Sequence, residues 1–386
     1  MGQTKHRDTA LDGLRAIAAV SVVFYHSILH KETLVQTHLF VPVQAFRDLG
    51  DIFVRLELAL FDGQGAVLLF FVLSGFVLRQ SLERSKGSFL RTVYNFAMAR
   101  VWRLYPAMFF CMAVFLLLAW IYALAGWPRM VAFDPISALQ QALLVQIWWH
   151  GPSTTIRAEL LAVPFLLLFF VARRSLGGAG LVLILAYSAF AFIQPRLTFN
   201  LPDMNSWLFC FAVGFVLAEE RVAPLFQNVG SAGMIAIALV FLFGRAFVDT
   251  RSASSIVAQA FLAGGLVAAV HYSSGGEKVR EFLRWSPINF LGRISYSFYL
   301  LNVPVLFVIW SWTDGTNLYE HPSRTGLLVG LVATLVTIPL AAFAERFVER
   351  PGIAIGRRLL LRSRADVAAP SAATTSNRLD PAQAAP

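Results

Sequence analysis

Charge is what this sequence most lacks. Asp, Glu, Lys and Arg make up 14% of its 386 residues, where a soluble globular chain carries roughly 25%. That shortage excludes an ordinary water-exposed surface. Cysteine is nearly missing as well: there are two, Cys111 and Cys210, both inside apolar runs. They read as small buried residues, which excludes a disulfide framework and a cysteine metal site. The hydrophobic stretches do not alternate with polar residues, which excludes a transmembrane barrel. No internal repeat is visible, which argues against an inverted-repeat transporter. No small-residue cleavage site follows the first apolar run, so the polar start from Met1 to Asp12 is expected to be retained.

What the chain does have is apolar surface. Hydrophobic residues make up 57% of it, 34 of them Phe, and the mean hydropathy is +0.64. A spanning helix needs about 20 mainly apolar residues, and its backbone must pair within the span. Runs of that kind fall at about 13–30, 64–82, 104–125, 157–172, 179–194, 205–220, 231–248, 256–273, 288–311 and 326–344. The expected fold is therefore all-α: a polytopic membrane bundle of about ten transmembrane helices. Ser137 to Trp149 is apolar but too short to cross. It reads as a re-entrant or interfacial piece, flanked by Trp127, Trp148 and Trp149 as interfacial aromatics.

The net charge is +10 and the pI is about 10.0. In a soluble chain that would point to nucleic acid. Here Lys and Arg collect between spans, which is how cytoplasmic segments read. With the N-terminus inside, the cytoplasmic set holds Lys5 and Arg7; Arg84, Lys86 and Arg91; Arg173 and Arg174; Lys278, Arg280 and Arg284; and Arg357, Arg358, Arg362 and Arg364. Only scattered residues such as Lys31, Arg129 and Arg324 fall outside. Both termini are expected in the cytoplasm of a bacterial-type inner membrane, with lipids and not nucleic acid around the chain. Residues 1–355 read as one membrane domain. Residues 356–386 read as a basic tail, disordered from Ala365 on, where Ala, Ser, Thr and Pro dominate.

The first span, DGLRAIAAVSVVFYHS, holds two ionisable residues, Arg15 and His26. Such groups inside spans are costly and point to function. Eleven residues apart on a helix, they share one face at an axial distance of about 16 Å. An anion binder at one end of a face and an acid–base group at the other suits a long, phosphate-bearing ligand. The plain alternative is a snorkelling Arg15 and an interfacial His26. Arg100 and Arg103, in ARVWRLYP, stand at i, i+3 and suit bidentate phosphate binding. Simple positive-inside anchoring is the alternative.

Ser74 and Gly75 interrupt a bulky run, GAVLLFFVLSGFVL, and suit a kink or close helix packing better than a nucleophile. Glu159, in TTIRAELLAVPF, could orient His26, or pair with Arg157. Glu349, Arg350 and Pro351 read as an ion pair and a helix stop. Ser295, Tyr296, Ser297, Tyr299 and Asn302 make the ninth span unusually polar. They line a cavity or bond helices together.

Five segments occur in order: LDGLRAIAAVSVVFYH, FFVLSGFVL, ARVWRLYP, FLGRISYSFYLLNVPV and VERPG. Over about residues 8–355 the chain resembles acyltransferase family 3, membrane proteins that O-acylate carbohydrates and some other acceptors. The resemblance implies acyl-CoA, usually acetyl-CoA, as a cytoplasmic co-substrate, with no metal and no permanently bound cofactor. It implies His26 as the acid–base residue and Arg15, Arg100 and Arg103 as donor binders. It implies an acceptor such as a surface polysaccharide or its lipid-linked precursor. Glu159 then acts beside His26, and Ser74, Ser295, Tyr296, Tyr299 and Asn302 line the pocket. Two departures fall where an acceptor is contacted. STTIRAEL replaces the family's Trp-Ser-Leu before the Glu, and Asn302 replaces a frequent His. A proton-coupled transporter and a non-catalytic scaffold of the same fold are the rival expectations.

Overall fold

The structure is a computed structural model that describes residues 8–30, 34–85, 88–127, 134–147, 150–201, 204–248 and 252–368. Lys5, Arg7, Lys31, Lys86, Arg129, Trp148, Trp149 and the side chains of Arg362 and Arg364 lie outside the described set. The main helices, in order, are α1 (Thr9–Ile28), α2 (Leu49–Leu60), α3 (Gly63–Glu83), α4 (Phe89–Leu124), α5 (Pro135–Ala142), α6 (Gly151–Leu176) and α7 (Gly178–Ile193). They continue with α8 (Met204–Leu217), α9 (Ser231–Phe243), α10 (Ala253–Tyr272), α11 (Glu277–Arg284), α12 (Ser286–Thr313), α13 (Pro322–Ala344) and α14 (Arg350–Ala368). No strand occurs among the described residues.

Each of the ten apolar runs coincides with a helix. Among the described residues, seven helical stretches are long and apolar enough to cross a membrane: α1, α2 with α3, α4, α6, α10, α12, and α13 with α14. An eighth forms if α9 is joined to the short helical segment before it, across a 100° bend. α7 and α8 are apolar but only 16 and 14 residues long. The piece expected to be interfacial overlaps α5, eight residues long, too short to span.

Local chemistry starts several of these helices. Asp8, Asp48, Asp62 and Asp134 each cap a helix by accepting hydrogen bonds from backbone N–H groups of the first turn, which satisfies donors with no partner in the helix. Small residues then set how closely the helices pack. A methyl group at Gly75 would overlap the Phe211 carbonyl, and one at Gly214 the Val72 carbonyl. α3 and α8 thus touch backbone to backbone, the close approach that the Ser-Gly pair suggested. Gly292 likewise rests on the Asp12 backbone, which aligns α12 beside α1.

Two features differ from the sequence reading. α4 has 36 residues, roughly 54 Å at 1.5 Å per residue, and begins well before the apolar run at 104. Arg91, Arg100 and Arg103 lower the hydropathy there without ending the helix. Pro351 is not a stop. A π-helical turn at Glu345–Glu349 precedes α14, and Pro351 sits in the first turn of α14, where a missing N–H costs little. The ion pair also differs: Arg350 bonds Glu345 at 2.6 Å, while Glu349 accepts from Ser297 at 2.9 Å. The boundary expected at 355/356 falls inside α14, whose Gly352 and Gly356 lie against Pro106 and Trp102 of α4. As α14 advances its contacts retreat along α4, so the two helices run antiparallel.

Candidate active site

Five helices line a partly open cavity. α1 contributes Arg15; α3 contributes Phe70, Ser74, Val77 and Leu78; α4 contributes Arg100, Arg103 and Leu104. α6 contributes Thr155, Ile156 and Glu159, and α12 contributes Ser295, Tyr296 and Tyr299. Eight of the residues expected at the site therefore meet in one space: Arg15, Ser74, Arg100, Arg103, Glu159, Ser295, Tyr296 and Tyr299. Helical spacing explains this. Arg100, Arg103 and Leu104 share one face of α4, and Ser295 and Tyr299 share one face of α12.

The electrostatics are one-sided. Arg15 reaches Asp12 at 3.3 Å. Arg100 and Arg103 hydrogen-bond to and ion-pair with no described residue. Arg100 lies within electrostatic reach of Arg103, Arg15 and Glu159. Three guanidiniums thus face a cavity in which Glu159 is the only lining carboxylate among the described residues. Like charges gathered in an apolar setting repel and are poorly solvated, so an anionic ligand relieves both costs.

The hydroxyls divide by what their protons already do. Tyr296 donates to the Leu104 carbonyl at 2.7 Å, so that proton is committed to a neighbouring helix. Tyr299 and Thr155 meet hydroxyl to hydroxyl at 2.8 Å, and one proton of the pair stays free to turn toward the cavity. Ser74 and Ser295 are buried lining residues.

Two expected residues do not line the cavity. Asn302 lies on the Ser295–Tyr299 face of α12, one turn further along. Its amide donates to the Phe298 and Tyr299 carbonyls, and its buried Oδ1 has no partner. His26 is partly buried near the far end of α1, with the Tyr25 ring edge-on at 5.5 Å. Glu159 lies within electrostatic reach of Arg100, Tyr296 and Tyr299.

Sequence reasoning missed His150 and Thr155. His150 is fully buried and lies within electrostatic reach of His26. It stands just before an apolar run, where a single His gives no periodic signal. Thr155 was legible in principle, four residues from Glu159 on the same helical face. Among the described residues no three His, Cys, Asp or Glu side chains are grouped to hold a metal.

A family model described as an acyltransferase domain matches residues 8–346. The chain belongs to acyltransferase family 3. No curated protein and no solved structure matches it. As a family 3 acyltransferase built on long apolar helices, it is a multi-pass membrane protein. The matched region begins at Asp8, the cap of α1, and ends at Arg346 in the π turn. Every helix that lines the cavity is inside it.

Proposed function

We infer that this membrane acyltransferase moves an acyl group, acetyl in the simplest case, from acyl-CoA to a carbohydrate hydroxyl. The observation that supports this reading is the set of three guanidiniums around one cavity, two of them without a hydrogen-bond or ion-pair partner among the described residues. Coenzyme A carries phosphates at one end and the thioester at the other. Arg15, Arg100 and Arg103 hold the phosphates through charge-assisted hydrogen bonds. The thioester lies toward Tyr299 and His26, along the Arg15–His26 face of α1.

His26 takes the proton of the acceptor hydroxyl as its oxygen attacks the thioester carbonyl. The Tyr299–Thr155 pair donates to the oxygen that becomes negative. The C–S bond breaks, and the thiolate recovers the proton as CoA leaves. Glu159 offsets part of the positive charge around Arg100. The donor comes from the cytoplasm of a bacterial-type inner membrane. The acceptor, a surface polysaccharide or its lipid-linked precursor, meets the site at the His26 end.

The test uses purified protein in nanodiscs with radiolabelled acetyl-CoA and membrane glycan extracts, wild type beside His26→Ala. Label in the glycan with wild type alone is the expected result. Absence of transfer from several acyl-CoAs, together with absence of CoA binding, would sink the reading.

A further inference from the structure

A serine inside an apolar helix has a ready partner for its hydroxyl, the carbonyl three or four residues earlier. Ser27 donates to the Val23 carbonyl at 2.8 Å, Ser188 to the Ile184 carbonyl at 2.8 Å and Ser311 to the Val308 carbonyl at 2.7 Å. Ser74 and Ser295 do not follow them. Both line the cavity, and they are only 5% and 7% exposed. Neither hydroxyl bonds any described residue. A hydroxyl held away from bulk water without a partner is costly, so a ligand that bonds it there is favoured.

The packing of the helices puts the two serines at one depth. α12 runs in the direction of α1, since Gly292 rests on the Asp12 backbone and the Trp310 ring stacks on His30 at 4.3 Å. α3 runs the other way: Gly63 meets the Tyr25 ring near the far end of α1, while Leu78 shares the cavity with Arg15. The Phe70 and Tyr299 rings lie 5.7 Å apart. Ser74 comes four residues after Phe70, and Ser295 four residues before Tyr299. Both therefore sit one turn, about 6 Å, from that ring pair and on its Arg15 side. α4 runs with α12, because Tyr296 donates to the Leu104 carbonyl and Cys111 to the Leu300 carbonyl. Arg100 and Arg103 precede Leu104 and so belong to the Arg15 end, where the Arg15 guanidinium turns back to Asp12. The cavity is thus layered: guanidiniums first, then two hydroxyls, then the Tyr299–Thr155 pair.

We propose that Ser74 and Ser295 bind the two amides in the pantetheine arm of the acyl donor. The proposal rests on the acyl-CoA reading. In CoA that arm joins the phosphates to the thioester, so the order of groups along the molecule matches the order of layers in the cavity. A hydroxyl both donates and accepts, so each serine can meet the N–H or the C=O of an amide. Val77, Leu78 and Ile156 beside them suit the methyl and methylene groups of the arm. Gly75, against the Phe211 carbonyl, fixes the rotation of α3 that turns Ser74 to the cavity. The middle layer therefore selects donors carried on a phosphopantetheine arm over phosphate-bearing molecules that lack one.

The experiment measures binding of two probes to protein in nanodiscs: CoA, and adenosine 3′,5′-bisphosphate, which carries phosphates and lacks the arm. Ser74→Ala and Ser295→Ala are each expected to weaken CoA binding by about 3- to 10-fold, the worth of one neutral hydrogen bond. The double variant loses more than either. Bisphosphate affinity and melting temperature stay at wild-type values in all three. Arg100→Gln, by contrast, weakens both probes. A serine variant that binds CoA as tightly as wild type overturns the proposal. So does an equal loss for CoA and bisphosphate, which marks a general disturbance of the cavity rather than a lost contact to the arm. Wild type that binds neither probe refutes the acyl-CoA reading instead, before any variant is compared.

Discussion

Thr155 and Tyr299 bring their hydroxyls to 2.8 Å across the cavity, although 144 residues separate them in the chain. Tyr296, one position from a full turn before Tyr299, hydrogen-bonds Leu104 instead. Two tyrosines on one helix thus have different hydrogen-bond partners, and the consequence can be measured. Tyr299→Phe is expected to lower kcat by about a hundredfold, the effect of losing one oxyanion donor, with CoA affinity little changed. Tyr296→Phe is expected to leave kcat nearly intact and to cost about 1 kcal/mol of stability, because the Leu104 carbonyl loses its donor. Steady-state kinetics beside thermal melts separate the two.

The arginine cluster predicts a trade between binding and stability. Arg100 is crowded by Arg103 and Arg15 and makes no hydrogen bond or ion pair with any described residue. Arg100→Gln removes repulsion from the empty cavity, so the unliganded protein is expected to melt about 2–4 °C higher. The same change removes a charge-assisted bond to phosphate, so CoA binding is expected to weaken by about 10- to 100-fold. An equal loss of stability and affinity would contradict the cluster's role as a ligand site.

Packing predicts a sharper effect at glycine. Gly214 places α8 directly on the Val72 carbonyl, and no side-chain movement can clear a backbone atom. Gly214→Ala is expected to cost about 1–3 kcal/mol, as overpacked cores do. Loss of monodisperse protein on size exclusion would report it. Gly265, where an added methyl group meets open space, is the control and should tolerate Ala.

Glu219 gives the pH dependence. It lies past the end of α8 and joins α3 to α6. Arg173 bonds it at 2.6 and 3.0 Å, and the buried Arg79 bonds it at 2.5 Å. Those hydrogen bonds, Arg173 foremost, outweigh burial and hold the carboxyl at about 2. A depressed carboxyl stabilises the fold above its unfolded pKa, and that contribution disappears as pH falls through the folded value. The difference in melting temperature between wild type and Glu219→Gln is therefore expected to be largest near neutral pH and to shrink from about pH 5 downward. A difference that grows on acidification would refute the assignment.

The sequence revealed the apolar helices because burial in a bilayer writes itself into long uninterrupted runs. It revealed most of the cavity because Arg100, Arg103, Ser295 and Tyr299 obey one helical period. It did not reveal α2, LGDIFVRLELAL, whose charges break the apolar pattern. Arg55 and Glu57 are nonetheless buried there, with Arg55 bonded to the Arg245 carbonyl 190 residues away. Nothing local announces a partner at that distance. The same holds for Arg79 with Glu219, and for Glu159, which lies within electrostatic reach of Arg100. Pro351 looked like a stop because the π turn that accommodates it leaves no mark on composition.

The antiparallel contact of Gly352 and Gly356 with Pro106 and Trp102 has a consequence in time. A chain is made from its N-terminus, and earlier segments take up structure first. The arginines of α4 are synthesised within the first third of translation, yet the helix that braces them comes near the end. A nascent chain that has not reached Gly356 has all its cavity-lining residues and lacks the strut that holds one wall in place. The wall that carries Arg100 and Arg103 is therefore braced only once most of the chain has been made.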